Sequence, residues 1–139
     1  MADDFTQCMV SNSRMAARAI TRRYDAYLRP HGMTATQLSL LGSVKSYPGL
    51  SVSELAEKRG FDRTTLTRNL DKLEAMGLVQ SSVREGRGQG RIAAVTDKGS
   101  AMIAQLLPLW RQAQAELRAE LTSDDFDSSI RTLRRLAKV

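Results

Sequence analysis

Cationic and hydroxyl side chains recur at helical spacing in the middle of the chain, at Arg63, Thr64, Thr67, Arg68 and Lys72. The planar fork of arginine can bond both acceptors on a guanine edge or clamp a phosphate, and threonine offers a hydroxyl and a methyl at short reach. Leu66, Leu70 and Leu73 lie on the opposite face, so the pattern predicts an amphipathic helix, capped by Asp62, that presents its polar face to a major groove. An ordinary polar surface is the alternative.

The chain before this helix has the spacing of a helix-turn-helix. Ser51 and Glu54 form a capping-box pattern, in which each side chain bonds the backbone of the other residue, and they predict the start of a short helix. Gly60 then supplies the left-handed backbone that tight pairing of two helices needs. Thr34 and Gln37 repeat the capping-box spacing one helix earlier. Three helices in succession are therefore expected, and the third carries the cationic face.

Two short strands are predicted next, over residues 78–83 and 92–95. The segment that joins them interleaves glycines with arginines, at Arg84, Arg87 and Arg91. Glycines make such a hairpin tip mobile, so we expect a wing that becomes ordered on DNA and reaches a minor groove or the flanking phosphates. A solvated hairpin with no binding role is the alternative.

Long amphipathic helices are predicted at both ends of the chain. One runs over residues 4–29 and ends at Pro30 and Gly32, and a second begins after Thr96 and should be kinked by Pro108. A last helix begins at Thr122. The fold is thus expected to be mainly α with a small two- or three-stranded β-wing.

The predicted chain is a single domain over residues 1–139, with the winged helix-turn-helix at 34–96 and dimerisation helices at 4–30 and 97–139. The wide apolar stripes of the terminal helices are best explained by packing against a second copy, which predicts a symmetric homodimer. Two recognition helices would then face an inverted-repeat duplex, with half-site centres about one helical turn, roughly 34 Å, apart.

The composition narrows the function classes. The net charge of +6 and the pI near 10 favour an acidic partner such as nucleic acid. Cys8 and His31 are the one cysteine and the one histidine, and a helix between them would separate them by roughly 30 Å. We therefore expect no enzyme, no metal site and no cofactor. Without a secretory signal or an apolar run near the ~20 residues of a membrane span, the chain is expected to be cytoplasmic.

Several segments resemble the multiple-antibiotic-resistance regulator (MarR) family: LRPHGMTATQLSLL, LSVSELAEKRGFDRTTLTRNLDKLEAMGLV, VTDKG and, more weakly, LPLWRQAQ. The resemblance covers nearly the whole chain. It implies a dimeric winged-helix transcription regulator, often a repressor, that a small aromatic or anionic ligand or oxidation releases from its operator. Carried over by position, the DNA-binding residues would be Arg63, Thr64, Thr65, Thr67, Arg68, Arg84, Arg87 and Arg91.

The wing departs from the family pattern. Family wings usually contain Asp-x-Arg, about nine and seven residues before the threonine that caps the next helix, and here those places hold Arg87 and Gln89. The arginine that an aspartate normally orients is thus missing. A winged-helix module that binds a protein instead of DNA is the rival interpretation, and salt-dependent binding to a duplex separates the two.

Two routes for a regulatory signal are expected. Cys8 lies in the first turns of the predicted first helix, in a region where related hydroperoxide sensors place a reactive cysteine, and a helix amino terminus can lower a thiol pKa. A buried structural thiol is the alternative. The second route is a small aromatic anion held between the first two helices and the dimerisation helices. Its candidate contacts are Arg14, Arg18, Tyr24, Tyr27, His31 and Trp110, and core packing is the alternative for the aromatic residues.

Overall fold

A computed structural model describes residues 3–84 and 90–138, and the side chain of Arg84 lies outside that description. The described elements follow the predicted order: α1 (Met9–Leu28), α2 (Ala35–Ser46), α3 (Val52–Arg59), α4 (Arg63–Ala75), β1 (Val79–Arg84), β2 (Gly90–Val95), α5 (Asp97–Leu121) and α6 (Ser123–Ala137). Single 3-10 turns at Phe5–Gln7 and Arg29–His31 flank α1. The predicted fold class, mainly helical with a small β-wing, is confirmed.

The first helix begins later than the sequence pattern predicts. The side chain of Asp4 accepts a hydrogen bond from the backbone N–H of Thr6 and closes a separate 3-10 turn, while Cys8 is extended and precedes α1 as its N-cap. Asn12 stabilises this break because its amide donates to the carbonyls of both Thr6 and Cys8. The predicted single helix over residues 4–29 is therefore wrong at its start, since local side-chain bonds compete with helical ones there.

The helix-turn-helix forms as predicted because its ends are capped by side chains. Thr34 and Ser51 each complete a capping box, at the start of α2 and α3 respectively. Gly60 adopts a left-handed backbone with φ of 70° and ends α3. Asp62 then caps α4 by accepting a hydrogen bond from the N–H of Thr65 at 3.0 Å. These local bonds fix the relative placement of α3 and α4.

The wing is a two-stranded antiparallel sheet. Val79 pairs with Val95 and Arg84 with Gly90, so the register leaves the tip between residues 84 and 90. A single bridge from Ser51 to Ile92 adds a short third partner to the described sheet. The first strand is shifted by one residue from the predicted 78–83, and the second begins two residues before the predicted 92. The predicted mobile tip at residues 85–89 lies outside the described residues.

The hydrophobic core lies beneath the helix-turn-helix and is built largely from leucines. Its fully buried members are Leu28, Met33, Leu40, Leu41, Leu66, Leu70, Leu73, Leu78, Leu106 and Val79. The inward face of α4 that the leucine spacing predicts is thus confirmed. Leu40, Leu41 and Val44 of α2 are all buried, because α2 packs against α4 as well as against α1 and α5.

The segment Thr96 to Gly99 joins the wing to α5 and also holds the end of α4. Thr96 accepts from the N–H of Gly99 and donates to the carbonyl of Gly77, while Lys98 donates to the carbonyl of Met76 at 2.8 Å. A Cβ at Gly99 would lie 2.1 Å from the carbonyl oxygen of Leu78. Only a glycine allows α5 to approach the start of β1 this closely.

The terminal helices pack on one another through polar contacts. The hydroxyls of Tyr24 and Tyr27 in α1 donate to Gln114 and Glu116 in α5. Two residues after Glu116 in α5, Arg118 bonds Asp127 at 3.1 Å and tethers α6. No helix in the described ranges is long and apolar enough to cross a membrane.

Candidate nucleic-acid interface

The polar face of α4 is exposed as the sequence predicts. It forms an open, shallow groove lined by Arg63, Thr64, Thr67, Arg68, Asp71 and Lys72. Thr65 differs from the other predicted residues because it is half-buried and its backbone is occupied: its N–H bonds Asp62 and its carbonyl accepts from Asn69. The face can therefore offer three cationic groups and two hydroxyls to a duplex, with Thr65 at its edge.

The Asp62 carboxylate stabilises the amino terminus of α4 electrostatically. Hydrogen bonds from Thr65 hold the pKa of the Asp62 carboxyl below its usual range, and Thr64 and the Arg68 guanidinium act in the same direction. A carboxylate at this end also complements the helix dipole. The ionised Asp62 carboxylate therefore caps the first turn of α4, which carries Arg63 and Thr64 and is called the reading helix below.

The predicted wing arginines divide into two groups. The side chain of Arg84 and the whole of Arg87 lie outside the described residues. Arg91 is described, and its guanidinium is engaged within the protein: Nη1 bonds Asp71 at 2.6 Å, Nη2 bonds Glu74 at 2.8 Å and Nε bonds Ser81 at 2.8 Å. The sequence pattern could not show these bonds, because the partners lie on two other elements, α4 and β1.

A cavity of about 620 Å³ lies between α1, α2 and α5. Of the six predicted effector contacts, it brings together Tyr24 and Trp110. The rest of the described lining is mostly apolar or hydroxylic: Ile20, Thr21, Leu28, Ala35, Thr36, Leu38, Ser39, Gly42, Ser43, Ser46, Tyr47, Arg59, Phe61, Ile103 and Leu107.

Arg14, Arg18, Tyr27 and His31 do not line this cavity. Arg14 and Arg18 are exposed on α1, and Arg18 borders a separate shallow depression. Tyr27 is bonded to Glu116, and Nδ1 of His31 lies 3.5 Å from the Gln105 amide. These four residues therefore stand apart from the place where an effector would fit.

Arg59 is the cationic residue among the described lining, and the sequence analysis missed it. Its Nε donates to the Ser43 hydroxyl at 3.2 Å, which turns the guanidinium from the end of α3 towards α2. The neighbouring Lys58 lies over the Tyr47 ring instead, 5.0 Å from its centroid. A cation in the last turn of a helix is an ordinary pattern, so the sequence alone gave no sign of the cavity.

Cys8 is partly exposed at the amino terminus of α1. Backbone N–H groups of Ser11 and then Val10 lower the pKa of its thiol, with a further contribution from the Ser11 side chain. The pKa of the thiol is thus shifted in the direction expected at a helix amino terminus. The thiol belongs to the N-cap residue instead of the first helical turns, which is where free N–H groups converge.

Comparison with known proteins agrees with this geometry. Residues 31–91 match the model of the MarR family. The HTH-type transcriptional repressor Rv2887 of Mycobacterium tuberculosis is 30% identical over 112 residues, 81% of this chain and 81% of the relative. The crystal structure of the M. tuberculosis transcriptional regulator MosR is 38% identical, with a TM-score of 0.82 over 97% of this chain and 96% of that one.

A second MosR structure, in complex with DNA, is 36% identical with a TM-score of 0.78 and covers 95% of this chain and 96% of that one. These relatives are regulators and not enzymes, and the DNA complex favours duplex binding over the rival protein-interaction module. With its capped helix-turn-helix, its wing and its exposed cationic α4, the chain belongs to the MarR family of DNA-binding transcription regulators.

Proposed function

We propose that the protein is a cytoplasmic homodimeric repressor that binds an inverted-repeat operator through two copies of α4. The observation that carries the proposal is the exposed face formed by Arg63, Thr64, Thr67, Arg68 and Lys72, on a helix whose other face is fully buried. Because its other face is packed in the core, such a helix would enter a major groove as a rigid unit, and a rigid helix suits sequence readout. Arg84 and Arg87 of the wing would add contacts to the flanking backbone.

Dimerisation through residues 4–30 and 97–139 is supported by the exposed apolar side chains of these segments. Phe5 is 81% exposed and Met15 69%, while Ile130, Leu133 and Leu136 line one face of α6 and are also exposed. Large exposed apolar groups are costly to leave in water, and a second copy of the chain would cover them. The single domain over residues 1–139 would then exist as half of a symmetric unit.

The effector in this proposal is a small aromatic anion bound in the cavity between α1, α2 and α5. Tyr24, Trp110 and Phe61 offer ring faces, and Arg59 offers a charged fork for a carboxylate. Arg59 is the last residue of α3 and lies four positions before α4. An anion that draws Arg59 inward would therefore act directly on the turn that orients the reading helix.

Oxidation of Cys8 is the second candidate signal, favoured by the lowered pKa of its thiol. The thiolate attacks the O–O bond of a peroxide, sulfur takes one oxygen to become a sulfenic acid, and hydroxide or an alkoxide leaves. A polar sulfenic acid at the start of α1 would disturb the apolar surface around Phe5 and Met9. That surface is the one assigned to the dimer interface.

Operator affinity measured before and after peroxide treatment tests the redox route. If it is correct, the parent protein loses affinity and the Cys8→Ser variant does not. Release of the variant to the same extent as the parent would eliminate Cys8 as the sensor. If an aromatic carboxylate releases both the parent protein and the Cys8→Ser variant from the operator, that result would instead support the cavity as the site of the signal.

A further inference from the structure

The wing and the reading helix are tied together by one side chain. Arg91 in β2 bonds Asp71 and Glu74 of α4 with its two terminal nitrogens and Ser81 of β1 with Nε. Glu74 completes the cluster by accepting the backbone N–H of Ser81 at 3.1 Å. Three elements that are separate along the chain thus meet at one guanidinium.

The geometry makes this arginine a poor candidate for direct DNA contact. Its side chain is 25% exposed, whereas that of Asp71 is 62% exposed. A phosphate that approached Arg91 would meet a guanidinium already bonded to two carboxylates, and those carboxylates would repel it. Such bonds are stronger than neutral ones, and the rigid fork of arginine matches two acceptors at once.

The position of Arg91 in the wing matters as much as its bonds. It pairs with Val83 in the register and directly follows Gly90, the first described residue after the tip. The contact therefore holds the described end of β2, next to the tip, against α4. Residue 89, where the family pattern has its aspartate-oriented arginine, is a glutamine here.

The charges give the contact a second effect. Asp71 lies on the exposed face of α4 beside Arg68 and Lys72, where its carboxylate would repel a phosphate. The guanidinium of Arg91 compensates Asp71 and Glu74 together. Without it the exposed face of α4 would keep the uncompensated carboxylate of Asp71, with that of Glu74 close by.

We propose that Arg91 is a positioning residue that locks the wing to the reading helix and screens Asp71 and Glu74, and that it makes no contact with DNA. This assignment rests on the proposed role of α4 in operator binding. It replaces the DNA-contacting role that the sequence pattern predicts for Arg91. The resemblance to wing arginines does not predict this positioning role, because Asp71 and Glu74, the charged partners of Arg91, lie in α4.

A charge-conserving substitution separates positioning from phosphate contact. Arg91→Lys keeps the positive charge but cannot span both carboxylates, and Arg91→Gln removes the charge. Operator affinity of each variant is measured by fluorescence anisotropy over a range of salt concentrations, with far-UV circular dichroism to verify folding. Arg111→Gln, which removes an exposed arginine from the middle of α5, is the matched control.

We expect Arg91→Lys to weaken operator binding on the order of tenfold, because the lock is lost, and Arg91→Gln to weaken it further, because the screening charge is lost as well, while the salt slope stays at the parental value. In a protein that already carries Asp71→Asn and Glu74→Gln, adding Arg91→Gln should lower operator affinity little further, because the charged partners of Arg91 are already gone. Arg111→Gln should leave affinity near parental.

Parental affinity for Arg91→Lys would overturn the assignment, as would a salt slope for Arg91→Gln that is shallower by about 0.9 for each lost phosphate contact. The assignment would also be overturned if Arg91→Gln lowered operator affinity equally in the presence and in the absence of the two carboxylates. A parent protein that shows no salt-dependent duplex binding would instead contradict the proposed function itself, so the two failures are distinguishable.

Discussion

At the scale of single residues, Arg68 is the most direct test of base readout. It lies on the exposed face of α4, about one and a half turns after the capped start. Arg68→Ala should cost roughly 1–3 kcal/mol of operator binding and relax the preference at one base pair if it bonds a base edge. Competition binding against operators altered one position at a time measures this, and uniform weakening across all sequences would make Arg68 a phosphate contact instead.

Arg59 carries the second prediction at this scale. Trp110 is the one tryptophan of the sequence and lines the cavity, so its fluorescence reports occupancy directly. Benzoate should quench it in the parent protein, and Arg59→Gln should weaken that binding roughly tenfold or more through loss of charge-assisted bonds.

Lys58→Gln is the matched control for Arg59, because it removes the adjacent charge, which stacks on Tyr47 and does not line the cavity. Benzamide, which is neutral, should bind both forms weakly and equally. Equal benzoate affinity of the parent and Arg59→Gln would exclude Arg59 as the carboxylate partner.

At the scale of elements, the junction between the wing and α5 depends on Gly99. An alanine Cβ there would meet the Leu78 carbonyl oxygen at 2.1 Å and Val95 Cγ1 at 2.8 Å, so α5 or β1 must shift. Gly99→Ala should lower the free energy of unfolding by about 1–3 kcal/mol, the usual range for overpacking.

Urea unfolding at one fixed protein concentration measures the effect of Gly99→Ala, because dimer stability depends on concentration. Gly42→Ala is the control: this glycine lies inside α2, and a Cβ there meets nothing within 4 Å. Helix propensity should make that variant neutral or slightly more stable. A Gly99→Ala midpoint equal to that of Gly42→Ala would refute the close-approach argument.

The elements were largely predictable because their boundaries are set by local chemistry. Capping boxes at Thr34 and Ser51, the left-handed Gly60 and the Asp62 cap are all readable from spacing, and each is found. The start of α1 was not predictable in this way. There the apolar periodicity continues through Cys8 while the bonds of Asp4 and Asn12 favour a break.

The candidate site was predictable only where its residues share an element. The reading face of α4 follows from one helical repeat, whereas the partners of Arg91 and the cavity contact of Arg59 depend on packing between elements. Arg91 meets Asp71 across 20 residues of chain and Arg59 meets Ser43 across 16. Periodicity carries no information about such pairs.

At the scale of the whole molecule, the exposed apolar face of α6 is expected to close the dimer. Leu133→Lys places a charge on that face, where the parental side chain is 53% exposed in the single chain. Sedimentation should show a shift from dimer towards the 15.4 kDa monomer, and operator affinity should fall steeply because two half-sites no longer bind together.

Ser128→Lys adds the same charge to α6 on the side away from Ile130 and Leu133 and serves as the control. It should remain dimeric. If Leu133→Lys is also dimeric and binds its operator at parental affinity, α6 does not form the interface.

Selection of bound duplexes from a random pool tests the central claim most directly, because it examines readout by α4 and pairing of two chains in one measurement. The account predicts an inverted repeat whose half-site centres lie about one helical turn, roughly 34 Å, apart. With Arg68→Ala, one position should lose its preference in both half-sites. Recovery of a single unpaired half-site, a direct repeat or no enriched sequence would contradict the account.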